Sequence, residues 1–200
     1  FALKARAGGP LGAGRFSLLT TSGATTPAEA VGTWSTAGGS ASGRITLTAS
    51  SLTSRFANRF GDEVRFTGAG RRSSSGLYAI DGRAISETLT VTARGEADLA
   101  KRLTGPKGLA VTLATNRLDR VGMSLIGGSA RSQGVVVGTW ARWGYAGTLA
   151  ASNFKAANYT LARASGPVRV TRRNGELVVE STLAGEGGAG SWPMRRSNMS

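Results

Sequence analysis

The chain of 200 residues has neither cysteine nor histidine. Without cysteine there are no disulfides, thiol nucleophiles or thiolate metal sites. Without histidine the commonest general base and the commonest metal ligand are both missing, so the sequence argues against an enzyme and implies no metal or cofactor. Aromatics make up only 6% of the chain, too few for the ring-rich centre of an ordinary β-sandwich. No apolar run approaches the roughly 20 residues of a membrane-spanning helix. Phe1 opens the chain without a signal peptide's charged and apolar regions, and "FALKARAGG" and "MRRSNMS" read as cut ends. The expectation is one continuous β-rich segment, residues 1–200, of a larger protein, with a weak subdivision near 105–108.

Acidic residues are also scarce: 11 face 25 Lys and Arg, for a net charge of +14. Such a balance is the electrostatic footprint of nucleic-acid or anionic-lipid binding. The cations are scattered, however, and the densest points are "RR" at 71–72, 172–173 and 195–196. Nucleic acid is therefore the less favoured partner, and lipid head groups or simple composition bias explain the surplus better.

Motifs for soluble chemistry are thin. "GAGRFS" (12–17) and "GAGRRS" (68–73) carry G-x-G without the third glycine of a dinucleotide site, and no phosphate loop or nucleophile elbow occurs. Asp62 with Glu63 reads as a solvated turn, and Glu176 with Glu180 as cross-strand partners of arginine. "NYT" at 158–160 is a glycosylation pattern of no evident consequence. Trp34, Trp140, Trp143 and Trp192 suit the ends of a β core better than a membrane interface or a carbohydrate platform.

What the chain does have is alternation. "RFSLLTT" (15–21), "GRITLTA" (43–49), "EVRFTGA" (63–69), "GLYAIDGRA" (76–84), "GLAVTLAT" (108–115), "GMSLIGG" (122–128) and "GVVVGTWARWG" (134–144) read as strands. In "ETLTVTARG" (87–95) Leu89, Val91 and Ala93 point one way, with Thr88, Thr90 and Thr92 outward. Asp81-Gly82 reads as a turn. Asn174-Gly175 is a two-residue hairpin turn that sets Arg173 against Glu176, Arg169 against Glu180 and Val170 against Val179.

Two segments break to helical spacing. Leu52, Phe56 and Phe60 recur every four residues behind Ser51 as a helix cap, and Leu99 and Leu103 do so within 96–105. "GTW" recurs at 32–34 and 138–140, a weak hint of internal repetition. About ten short strands with tight turns predict an all-β protein: an elongated, twisted antiparallel sheet of hairpins, groove-like or repeat-like, with one or two short helices. Its apolar face must be covered by itself or bind something greasy. The strand phases put Ile45, Leu47, Leu89, Val91, Leu109, Val111, Leu113, Val168, Val170, Leu177 and Val179 on that face.

The units "ITLTASSLTSRFANRFG" and "LTVTARGEADLAKRLTG", with the hairpin "GPVRVTRRNGELVVEST", resemble segments of the AsmA-like and TamB/YdbH group of large bacterial envelope proteins. The resemblance implies an elongated β-sheet groove in the Gram-negative periplasm, anchored through other parts of the parent protein. It implies phospholipid acyl chains as ligand, carried between inner and outer membranes, and membrane proteins at either end as partners. The alternative from another class is a structural β-repeat of an adhesin or autotransporter passenger, its apolar face filled by itself.

Overall fold

A computed structural model describes residues 2–121, 126–156 and 159–189. Among these described residues thirteen strands form one open antiparallel sheet that does not close into a barrel. They are β1 (Ala2–Gly8), β2 (Ala13–Ser22), β3 (Thr25–Ser35), β4 (Gly38–Thr46), β5 (Glu63–Arg72), β6 (Tyr78–Ile85) and β7 (Leu89–Asp98). Then follow β8 (Leu103–Thr115), β9 (Ile126–Gly138), β10 (Trp143–Ala156), β11 (Tyr159–Arg173), β12 (Glu176–Ser181) and β13 (Ala184–Ala189). Spatial order follows chain order from β1 to β12, and β13 pairs with β11 beyond the end of β12. Each strand from β1 to β12 thus finds its partner one turn away. The accessible surface is 13812 Å², against roughly 8,900 Å² for a compact globular chain of this mass, which excludes a conventional two-layer core.

A strict meander has two rims. We call upper the rim holding the β1–β2, β3–β4, β5–β6, β7–β8, β9–β10 and β11–β12 turns, and lower the other. The longest lower connection, between β4 and β5, carries two 3-10 turns (Leu47–Ala49 and Ser54–Phe56) and the four-residue helix α1 (Ala57–Phe60). Ser51 is not the cap of this segment, since no side-chain cap bond forms at any of the three. The chain is too short in helix to stand alone and is tied down by its neighbours. Thr88 Oγ1 donates to the Arg59 carbonyl at 2.6 Å, Glu87 N to the Phe60 carbonyl at 3.1 Å and Arg120 Nε to the Asn58 carbonyl at 2.8 Å.

Several expectations change. Residues 96–105 form no helix: β7 runs on to Asp98, a turn follows with Arg102 at φ 55°, and β8 starts at Leu103. Leu99 and Leu103 lie four apart because they flank that turn. Asp81-Gly82 is no turn either; both lie inside β6, paired on two sides, and neither has the positive φ a type I′ turn requires. Thr88 is buried rather than outward, at 2% exposure, because its hydroxyl holds the helical segment. "GRITLTA" leaves the sheet after Thr46, where Leu47 N donates to the Asp62 carbonyl at 2.7 Å. The first "GTW" lies within β3 and the second spans a strand end and turn, so the two are not equivalent.

The hairpin register matches expectation at Arg173↔Glu176, Arg169↔Glu180 and Val170↔Val179, although no ion pair closes across it. Residues 105–108 form a bulge in β8: Gly95 pairs with Leu109 and Ala97 with Thr104, leaving Gly105–Gly108 opposite Glu96 alone. Met123, Asn158, Trp192 and the pair 195–196 lie outside the described residues.

Candidate functional site: the apolar face

Paired residues in an antiparallel ladder share a face, so the register assigns every strand residue to one side. One unbroken rung runs Gly14, Trp34, Gly39, Gly70, Ile80, Gly95, Leu109, Val136, Tyr145, Val170, Val179. The rungs beside it follow the same chemistry: Val91 pairs with Leu113, Ala93 with Val111, Phe66 with Ala84 and Ile45 with Val64. Along the same strands, polar and charged residues such as Ser42, Arg65, Arg83 and Arg94 take the opposite face. The result is a continuous sheet of glycine, alanine, valine, leucine and a few rings.

This face is half-buried along most of its width, while the opposite face is more exposed outside β7 and β8 and carries the open valines Val31, Val135, Val137 and Val178 among its polar residues, even though all the strands belong to one sheet. Small residues let the rings lie flat. Tyr145 spans the Gly134↔Gly147 rung to reach Ser132, its hydroxyl 2.5 Å from Ser132 Oγ, which in turn bonds the Thr148 carbonyl at 2.9 Å. A Cβ built on Gly134 would stand 2.7 Å from Tyr145 Cζ, and one on Gly43 2.7 Å from Phe66 Cζ. Trp34 over Gly14 and Phe16 beside Gly32 leave no room for a Cβ at those glycines. Glycine therefore serves as a seat for rings, giving a smooth floor instead of interlocking ridges.

Ten of the eleven residues expected on the apolar face share it. Ile45 is on β4, Leu89 and Val91 on β7, Leu109, Val111 and Leu113 on β8, Val168 and Val170 on β11, and Leu177 and Val179 on β12. Leu177 and Val179 are the most open, at 55% and 59% exposure. Leu47 is the exception: it lies in the first 3-10 turn, is 6% exposed and packs into the lower rim. Phe16, Trp34, Phe66, Ile80, Val136 and Tyr145 belong to the face as well. The alternation of Val64 with Phe66, and of Tyr145 with Leu149, carried the signal for part of that set.

The two rims differ. At the lower rim Arg120 Nη1 meets Glu87 at 2.6 Å and Arg117 meets Asp119 at 2.9 Å. The hydrogen bond from Arg117 holds the Asp119 carboxyl below its ordinary pKa. At the upper rim the ion pair is Lys101 with Asp98 at 3.7 Å; Arg71, Arg72, Arg102, Arg142, Arg172 and Arg173 have no acid within ion-pair distance among the described residues. Arg72 and Arg172 share the apolar face at its upper margin, where their partners are Tyr78 and Trp143.

A wide depression of about 820 Å³ lies on the opposite face, lined by Phe16 and Val31 as well as Thr33, Ser42, Thr67, Asp81, Arg83 and Arg94. Arg94 and Asp81 neutralise each other there at 3.0 Å. It brings hydroxyls and charges together with no histidine, cysteine or carboxylate pair, and among the described residues no cluster of metal-ligating side chains forms. Comparison with known proteins gives no match to a family model, a curated protein or a solved structure.

Proposed function

We propose that the chain is a lipid-binding segment of an intermembrane phospholipid transport protein in a bacterial periplasm, its apolar face receiving acyl chains. The observation that carries this reading is an apolar face continuous from β2 to β12, with no second sheet to cover it among the described residues. Each methylene left in water costs about 0.8 kcal/mol, so a surface that shields tails along its whole width removes the main barrier to carrying them across an aqueous space. A smooth floor suits this task. With glycine seats and flat rings the floor is shallow, its depression of about 430 Å³ among Phe66, Gly68, Tyr78, Ile80 and Leu99 lying wide open, and tails slide from strand to strand.

The dimensions agree with such a ligand. Nine or ten residues from rim to rim span roughly 30 Å, about twice the ~15 Å a lipid tail occupies in one leaflet. Tails lie within the face and head groups reach a rim. The rival reading, a β-repeat of an adhesin or autotransporter passenger, needs the apolar face filled from within. Only the short lower-rim segment is available for that among the described residues.

The test is native mass spectrometry of the segment exported to a periplasm and purified without detergent. Co-purifying phospholipid, lost in a folded Val91→Glu, Val111→Glu variant, supports the reading. A folded wild type free of lipid, or lipid retained unchanged by the variant, overturns it.

A further inference from the structure

The two rims of the sheet differ in charge in a way lipid transport alone does not require. The lower rim is strapped and partly neutralised: Arg117 pairs with Asp119 and Arg120 with Glu87, Glu63 is held by Arg44 and Arg65, and α1 is tied across the rim by Thr88 and Arg120, leaving Arg55 and Arg59 as its exposed arginines without an ion pair among the described residues. The upper rim has no such strap. Its exposed cations Arg71, Arg72, Arg102, Arg142, Arg172 and Arg173 form no ion pair among the described residues, Glu176 standing opposite Arg173 in the register without closing one. Arg142, Arg172 and Arg173 converge on one depression of about 600 Å³ that also takes Trp143 and Asn174, and Asn174 Oδ1 accepts from Arg142 at 3.4 Å. Trp140, 73% exposed, stands in the same turn as Arg142.

We infer that the upper rim is a head-group rim selective for phospholipids of net negative charge, and that it orients bound lipid with tails toward the strapped lower rim. This rests on the proposed acyl-chain site. Guanidinium groups grip phosphate oxygens through paired N–H donors, and aromatic residues with a polar edge sit well at the boundary between tail and head. A zwitterionic head group brings its own cation against six uncompensated arginines. An anionic one does not, so the preference follows from charge. Lipids entering upside down would set phosphate against a rim where Arg117 and Arg120 already hold acids and only Arg55 and Arg59 are unpaired, against six arginines at the upper rim.

The experiment offers the segment vesicles of equal phosphatidylglycerol and phosphatidylcholine and reads the ratio of the two bound lipids by native mass spectrometry. The expected ratio favours phosphatidylglycerol about tenfold at low salt and falls as salt rises. Arg72→Gln, Arg142→Gln, Arg172→Gln and Arg173→Gln together bring it near unity while total bound lipid persists. Arg55→Gln with Arg59→Gln leaves it unchanged. All six positions are exposed, and far-UV circular dichroism confirms that the variants fold. Lipid bound without preference, or a preference untouched by the upper-rim changes or equally sensitive to the lower-rim ones, overturns the inference and leaves the acyl-chain site standing. No binding of either lipid by the wild type removes both.

Discussion

Alanine at two glycines of the same apolar face should have opposite consequences. At Gly134 the new methyl meets the Ala146 carbonyl oxygen and stands 2.7 Å from both Tyr145 Cζ and the Gly147 Cα, so the β9–β10 ladder must shift as well as the ring. The ring must lift off its seat. That forfeits the bond between its hydroxyl and Ser132, about 1 kcal/mol net, and adds about 1–3 kcal/mol of overpacking. Gly134→Ala should therefore destabilise by about 2–4 kcal/mol, a fall in melting temperature of roughly 5–15 °C at this chain length. Gly68 sits on the same face of β5, yet its nearest prospective neighbour is the Asp81 carbonyl oxygen at 3.9 Å. There alanine lowers the entropy of the unfolded chain without strain, and stability should rise by up to about 1 kcal/mol. Urea unfolding followed by tyrosine fluorescence and circular dichroism measures both. Equal losses at the two positions, or a neutral Gly134→Ala, would refute the view of these glycines as ring seats.

Two further outcomes follow from the lower rim. Thr88→Val keeps the shape of a residue 2% exposed but removes the 2.6 Å bond to the Arg59 carbonyl, so it should cost about 1–3 kcal/mol and speed amide exchange in residues 54–60 before it affects β9–β11; uniform acceleration across the sheet would contradict a local strap. Because Asp119 has a folded pKa depressed by Arg117, its contribution is present above the ordinary carboxylate range and is lost as pH falls through the folded value. Arg117→Gln should raise the Asp119 value measured by carboxyl NMR titration, and an unchanged titration would remove the pair from the rim's electrostatics.

Much of this architecture was legible because period-2 alternation survives wherever one face is polar. "ETLTVTARG" and "GLAVTLAT" gave the phase of β7 and β8 correctly, and Asn174-Gly175 gave the β11–β12 register residue by residue. Other elements were hidden by composition. β1, "ALKARAG", has one large apolar residue, and β13, "AGEGGA", has none, so neither carries an amphipathic signal; pairing to a neighbour holds them in the sheet. β3 contains Pro27, which argues against a strand interior, but the β2–β3 register shifts there and no ladder bond is asked of it. Asp81-Gly82 was misleading because turn chemistry yields when both flanks are already paired. For the site, phase was enough to gather ten of eleven residues, whereas the rings at Trp34 and Tyr145 needed the glycines of adjacent strands to show how they lie. The contrast between the rims depends on which turns share an end, which follows only from the topology.

The absence of cysteine makes one measurement especially direct. A single cysteine placed at Val111, on the apolar face, or at Thr112, beside it on the polar face, takes an environment-sensitive fluorophore at a unique position. Phospholipid with spin-labelled acyl chains is then added. An apolar face that receives tails predicts strong quenching of the label at 111 and little at 112; equal quenching at the two positions, or none at 111, would contradict the account at its centre.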